Sequence, residues 1–388
     1  MNNVVIIGAS HAAAEAISSL RKAGWQDKIT LIGEESSLPY QRPPLSKAYY
    51  QGVVDKEKLL IKNEAFYQKM DVDLILGKRV ELIDRKNKHV VLDDSFQLEY
   101  EKLILATGTS ARRLPVKGES LAGVNYFRTM ADVDAIKQKL VGGNKLLIVG
   151  AGYIGLEVAA SAAKQGVQVT VLEAQDRVLA RVTSPEVSEF FYNVHTQSGV
   201  DIRLNTSLEE FSASDGGGCF ARLTNGEEIN FDCAIVGIGV VPNVELAQQA
   251  GLDCDNGIVV DHFTRTKDPD IYAVGDCSNH PSVLYKRPIR LESVPNAIGQ
   301  AKTAALSICG ENKVYDQLPW FWSDQYDLKL QTAGLMEGYD RVLIDGDMEQ
   351  KKFTVSYFKQ EKLIAMDAVN SPAQFMKAKK QIVLDLSS

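Results

Sequence analysis

The chain has 388 residues, enough for two or three domains with sizeable cores, and its 45% apolar and 24% charged content is that of an ordinary globular protein. A net charge of −7 argues against a nucleic-acid partner. Five cysteines (Cys219, Cys233, Cys254, Cys277, Cys309) form no CxxC pair, so neither a disulfide framework nor a metal site is expected, and a reducing cytoplasm is the expected compartment.

The chain enters a buried strand at once, Val4–Ile7, with no basic segment ahead of it, so no signal peptide is expected. A small-residue helix over His11–Ala23 and a strand over Lys28–Ile32 complete a β-α-β unit. Residues 39–47, PYQRPPLSK, read as a Pro-rich loop without regular structure. Lys102–Ala106 is a further buried strand, followed by the turn Thr107-Gly108. Lys145–Val149, a helix to about Gln165 and Val167–Leu172 repeat the opening plan. The apolar run Leu146–Ala163 holds three glycines and Glu157, which excludes a membrane span. Asp232–Val236 is a strand ending in Gly237-Ile238-Gly239, strand patterns recur over Gly257–Val274, and Ser293–Cys309 is a helix. From Val314 an aromatic segment, alternating strands (Arg341–Ile344, Phe353–Lys359, Lys362–Ala368) and a Lys-rich helix suggest a separate α+β unit. The fold class expected is α/β, with two Rossmann-like dinucleotide-binding domains and a small C-terminal α+β domain. The boundaries expected are 1–111 with 240–313, 112–239 inserted between them, and 314–388.

Two Gly-rich turns carry the chemistry. The second, GAGYIG, places Gly150, Gly152 and Gly155 at a strand-to-helix corner, with Ile154 inside the turn and Glu173 at the end of the next strand. The glycines let a pyrophosphate approach the helix N-terminus, and Glu173 can accept from both ribose hydroxyls while repelling a 2′-phosphate, which favours NADH. Arg177 lies near enough to weaken that preference. The first turn, Gly8-Ala9-Ser10-His11-Ala12-Ala13, has Ser10 and Ala13 where the template has glycine. Its acid is Glu34, with Glu35 as a competitor, and a longer helix accounts for the wider spacing. His11 reads as a helix-start residue facing solvent or phosphate. Asp276, after the strand of IYAVGD, could accept from a polyhydroxyl chain or simply cap a helix. Two dinucleotide turns in one chain suggest two dinucleotides face to face, with electrons passing between them.

VVIIGASHAA, PYQRPPLSK, LATGTSARRLP, GAGYIGLE, IYAVGDC, LESVPNA and PWFWSDQYDLKLQ together resemble the FAD-dependent, NADH-linked ferredoxin reductases of oxygenase systems. The resemblance covers about residues 3–335 and, more loosely, the remainder. It implies that Gly8, Ser10, Ala12, Ala13 and Glu34 hold the FAD pyrophosphate and adenosine ribose, with Thr107 and Gly108 beside them. Arg42, Lys47 and Arg128 lie near the same cofactor, Val80 sets its backbone against adenine, Asp276 binds the ribitol and Val294 meets the pyrimidine edge. NADH falls to Gly150, Gly152, Ile154, Gly155, Glu173 and Gly239. Lys47 is expected to pair with Glu157 beside the nicotinamide, and Trp322 to stand at the flavin edge facing the partner. The catalytic set implied is therefore Lys47, Glu157 and Trp322.

Disulfide reductases of this architecture carry a cysteine pair after the first ribose acid, and their oxidase and peroxidase relatives one cysteine. This chain has none before Cys219. Electrons must then leave to an external acceptor. A [2Fe–2S] ferredoxin is favoured over a rubredoxin by the resemblance, supplying a cytochrome P450 or Rieske-type oxygenase, with the protein a monomer or weak homodimer. An NADH oxidase or peroxidase and an interaction flavoprotein resembling apoptosis-inducing factor are the alternatives. Lys286, Arg287 and Arg290 form the densest basic cluster near a flavin motif and are the expected dock for an acidic carrier.

Overall fold

A computed structural model describes residues 2–213 and 218–387. Two five-stranded parallel sheets are built on one plan. In the first, Asn3–Ile7 lies between Lys28–Gly33 and Lys102–Leu105, with Val72–Leu76 and Ile271–Ala273 outermost. In the second, Lys145–Val149 lies between Gln168–Leu172 and Cys233–Val236, with Asp201–Arg203 and Val124–Tyr126 outermost. Both central strands are buried on both faces, which is why they read as unbroken apolar runs rather than alternating ones. Their registers bring Ile7 opposite Ile32 and Val149 opposite Leu172, so Gly8 and Gly150 emerge at the carboxyl ends of the two sheets, where open α/β sheets bind ligands.

The helices that follow the two turns, His11–Lys22 and Tyr153–Lys164, are both twelve residues long. The wider spacing from Gly8 to Glu34 therefore does not come from a longer helix. It comes from a longer connection, residues 23–27 against 165–167, and from a strand of six residues against five. Alanines at 12, 13 and 16 pack against Ala297, Ala301, Ala304 and Ala305 of the helix Val294–Ile308, so the first helix is held closely from both sides.

The chain passes between the sheets twice, and the two passages run together: Thr109–Ala111 pairs antiparallel with Val240–Pro242, Ala111 opposite Val240. Within 257–274 only Ile258–Val259 and Ile271–Ala273 are strands, and Arg265 makes an isolated bridge to Tyr272. The Pro-rich segment is more regular than its prolines suggest, because Pro43–Ser46 forms a 3-10 turn. Prolines fit its first positions, where their missing N–H groups have no bond to lose. The C-terminal part is a five-stranded antiparallel sheet in the order Trp320–Gln325, Leu328–Gly334, Lys362–Val369, Lys352–Lys359, Arg341–Asp347, covered by Pro372–Ser387.

One continuous apolar core runs through Leu45 and Tyr49 of the Pro-rich segment, Leu156 and Val158 of the second Gly-rich helix, and Leu330 and Phe353 of the C-terminal sheet. It fixes these three parts against one another around the mouths of the turns. Among the described residues no helix is long and apolar enough to cross a membrane.

Candidate functional site

Both Gly-rich turns open into a single cavity of about 1210 Å³, larger than the roughly 300–1,000 Å³ of a single-ligand pocket. Its walls include Gly8, Ser10, His11, Ala12, Glu34, Arg42, Lys47, Thr107, Gly108, Arg128, Asp276 and Val294 on one side. Gly150, Gly152, Ile154, Glu157, Glu173 and Gly239 line the other, with Trp322 at the C-terminal sheet.

Three expected residues stand back from it. Val80 packs its side chain against Ile83, Val90 and Leu92, Ala13 lies wholly within the helix–sheet core, and Gly155 is not at the wall. Gly155 acts on the turn itself: a Cβ there would meet the carbonyl oxygen of Gly150 at 2.2 Å.

The turns have the form a pyrophosphate requires. Gly8 and Gly150 sit at φ +107° and +105°, and a Cβ on either would strike the carbonyl oxygen of the neighbouring strand's extension, Ala106 at 2.2 Å and Gly237 at 2.6 Å. At Gly152 a Cβ would meet nothing within 4 Å. The middle position of the motif thus faces open cavity, which explains how Ser10 is accommodated at the same place in the first turn.

Glu34 is exposed at the cavity wall with no hydrogen bond or ion pair among the described residues, whereas Glu35 is committed elsewhere. Its carboxylate accepts from Arg42 at 2.7 Å and from the Tyr40 hydroxyl at 2.6 Å. Arg42 also donates to the Arg128 carbonyl at 2.8 Å, so the guanidinium is fixed before any ligand arrives. Arg128 stands 3.5 Å from Asp276. Burial, and then the neighbouring Arg42, pull the Arg128 pKa down, while burial pushes that of Asp276 up. Burial, then Arg42 and Arg128, bring His11 down to about 4, leaving a neutral imidazole at the first turn.

On the opposite side Glu173 accepts from the backbone N–H groups of Ala151, 2.8 Å, and Gln175, 2.9 Å, which clamps the turn to the next strand. Arg177 is turned away: it donates to Thr183 O, Ala180 O and Ser188 Oγ. On this side of the cavity Arg181, beside Gly239, reaches the wall, a residue that the motifs do not point to.

Lys47 and Glu157 join the two halves. Lys47 Nζ lies 2.8 Å from Glu157 Oε2 and donates to the Pro43 carbonyl at 3.1 Å. Glu157 is 6% exposed. Besides Lys47 it accepts from Ser46 Oγ at 2.5 Å and, on its other oxygen, from Ser323 Oγ at 2.6 Å. A buried carboxylate with this many donors is stable only while they stay in place, since removing one partner of a buried pair typically costs about 3–5 kcal/mol. The two serines were not expected, because they come from segments far from Glu157 in sequence.

Phe321 meets the ring of Tyr153 edge-on, with centroids 4.7 Å apart, at the cavity wall, and Trp320 packs on Phe375 under Lys379. The three consecutive aromatic residues are therefore divided between the cavity and the helix behind the sheet. The basic cluster expected to receive a carrier is largely neutralised: Arg287 pairs with Glu337, and Arg290 with Glu292 and the Asp276 carbonyl. No cysteine is among the residues lining the cavity.

Residues 2–301 match the pyridine nucleotide-disulphide oxidoreductase family and residues 320–386 the reductase C-terminal family. The chain belongs to the pyridine nucleotide-disulphide oxidoreductases. It is an FAD-dependent oxidoreductase linked to a nicotinamide nucleotide. The oxidoreductase is 43% identical to rhodocoxin reductase of Rhodococcus erythropolis over 99% of its own length and 90% of that protein's. It is equally 43% identical to putidaredoxin reductase of Pseudomonas putida, over 99% and 92%. The crystal structure of the covalent putidaredoxin reductase–putidaredoxin complex superposes with a TM-score of 0.96 at 41% identity, covering 99% of this oxidoreductase and 93% of that chain.

Proposed function

We propose that this oxidoreductase takes electrons from NADH and delivers them, through FAD, to a small [2Fe–2S] ferredoxin that supplies a cytochrome P450 or Rieske-type oxygenase. The observation that carries the reading is the single cavity: two dinucleotide turns open into it, Lys47 and Glu157 bridge it, and no cysteine lines it. Glu34 and the turn Gly8–Ala12 are suited to the adenosine ribose and pyrophosphate of FAD, with Arg42 and Arg128 as fixed cations and Asp276 and Val294 toward the ring system. Gly150, Gly152, Glu173 and Arg181, on the opposite wall, are suited to NADH.

Bound FAD supplies an acceptor for a hydride and a donor of single electrons. The residues do the rest. The two Gly-rich turns, opening into one cavity, would hold both dinucleotides there, so that orientation rather than bond making supplies most of the acceleration. Glu157 holds the Lys47 ammonium at the junction, where its positive charge favours the electron-rich form of whatever lies against it. Phe321, Tyr153 and Trp322 narrow the cavity and exclude water.

The test is cytochrome c reduction driven by NADH, with and without an added [2Fe–2S] ferredoxin and, in parallel, a rubredoxin. The expected result is a dependence on ferredoxin of tenfold or more (roughly 1.4 kcal/mol in the effective barrier). Oxygen consumption at the full rate without any carrier contradicts the proposal.

A further inference from the structure

The carboxylate of Glu157 is the end of a chain of buried polar side chains that leaves the cavity. Ser323 Oγ lies 2.6 Å from Glu157 Oε1, and Gln325 Nε2 lies 3.2 Å from Ser323 Oγ. His195 Nε2 lies 2.8 Å from Gln325 Oε1, and the Tyr326 hydroxyl 3.3 Å from His195 Nδ1. Ser323, Gln325 and His195 are at most 1% exposed. They come from two elements: Ser323 and Gln325 from one face of Trp320–Gln325, and His195 from the helix Pro185–Gln197.

The charge at one end dictates every proton along the row. Ser323 has a single hydroxyl hydrogen, and the carboxylate at 2.6 Å takes it. Its lone pairs must then face the Gln325 N–H, which turns the amide oxygen toward His195. That oxygen accepts, so His195 must carry its proton on Nε2 and leave Nδ1 to receive the Tyr326 hydroxyl. Burial pushes His195 down to about 4, so near neutrality it has one ring proton to place. All four donors point the same way, toward Glu157, and such aligned rows strengthen one another in a low-dielectric interior.

We propose that His195 is a positioning residue for hydride transfer, acting through Gln325 and Ser323 to hold the Glu157 carboxylate in the orientation that keeps Lys47 at the junction of the two dinucleotides. The proposal rests on the role given to Lys47 and Glu157 above. Without the His195 proton the Gln325 amide is free to turn its oxygen toward Ser323. The serine hydroxyl then has a second acceptor, and Glu157 loses a donor on the side opposite Lys47.

Two measurements test it. In the holoprotein, nitrogen-15 NMR of the imidazoles at pH 7, with the His195 signal identified by its loss in His195→Gln, should show the Nε2–H tautomer; an Nδ1–H tautomer overturns the proposal. Anaerobic stopped flow with NADH then compares three variants. His195→Phe keeps an aromatic ring, somewhat larger than imidazole, and removes the donor, and should slow hydride transfer about fivefold, the worth of one orienting hydrogen bond, with the NADH Kd within about twofold of the parent.

Glutamine places an amide N–H where Nε2–H stood, so His195→Gln should recover the parent rate within about twofold, whereas asparagine, which reaches only to the Nδ1 position, should not. A parent rate in His195→Phe, or a His195→Gln variant as slow as His195→Phe, overturns the positioning role. Lys47→Met separates the two levels of the account. If it is slow while His195→Phe is not, the positioning role alone fails. If Lys47→Met itself keeps the parent rate, the reading beneath it fails.

Discussion

Gly150 and Gly152 are two residues apart and answer to different constraints. Gly150 has a positive φ and a strand carbonyl where its Cβ would be, so the fold requires it. Gly152 has φ −79° and open cavity in front of it, so only a ligand requires it. Gly150→Ala should lower stability by at least about 2 kcal/mol, from strain and a forced backbone shift. Gly152→Ala should leave the melting temperature of the apoprotein unchanged within about 2 °C while raising the NADH Kd about tenfold or more, since its methyl group occupies the space the pyrophosphate needs. Thermal melts and NADH titrations of the two variants check this; equal loss of stability in both would show that the middle glycine belongs to the fold. The same reasoning explains Ser10, which sequence comparison with the motif marks as a departure and the open geometry makes harmless.

At the scale of elements, the central strands and the helices that follow them were legible because burial on both faces writes itself as Val4–Ile7 and Leu146–Val149, and a Gly-rich turn writes itself as a corner. What separates Glu34 from Gly8 was not legible. Propensity does not say whether extra residues extend a helix or its loop, and here Gly24 and the residues around it form the loop. The donors around Glu157 were illegible for another reason: Ser46 and Ser323 are ordinary serines until two turns and a sheet bring them to the same carboxylate.

A second buried carboxylate, Asp367 in Lys362–Val369, accepts from Thr332 and Tyr357 of the neighbouring strands. Burial pushes it up to about 6. Its folded pKa is above that of an unfolded aspartate, so between about pH 4 and 6 the folded state holds a proton that the unfolded chain has released. Stability therefore falls as pH rises through that window, by on the order of 3 kcal/mol. Asp367→Asn removes the titration. Its melting temperature relative to the parent should climb from pH 4.5 to pH 7, while a constant difference would show that Asp367 does not titrate there.

For the whole molecule, the arrangement is a division of labour across one cavity. The more irregular turn and the fixed cation Arg42 belong to the part of the chain that begins and resumes the first sheet, whereas the regular turn with Glu173, and Arg128 just after the outer strand Val124–Tyr126, belong to the part inserted between Thr109–Ala111 and Val240–Pro242, from which Arg128 reaches Asp276. The C-terminal sheet closes the junction with Phe321 and Trp322 and supplies Ser323. The two turns made the cavity legible, but the run of Lys286, Arg287 and Arg290 says nothing about Glu337 and Glu292, the acids that pair with its arginines in the fold.

In the function proposed above, electrons entering at this cavity leave to a separate iron–sulfur protein. This is tested most directly by mixing the NADH-reduced oxidoreductase, under anaerobic conditions, with oxidised [2Fe–2S] ferredoxin in a stopped-flow instrument. The expected result is rapid reduction of about two ferredoxins per oxidoreductase molecule, one electron each from the hydride pair. Ferredoxin that stays oxidised, with the oxidoreductase reoxidised at full turnover rate only when oxygen is admitted, would contradict it.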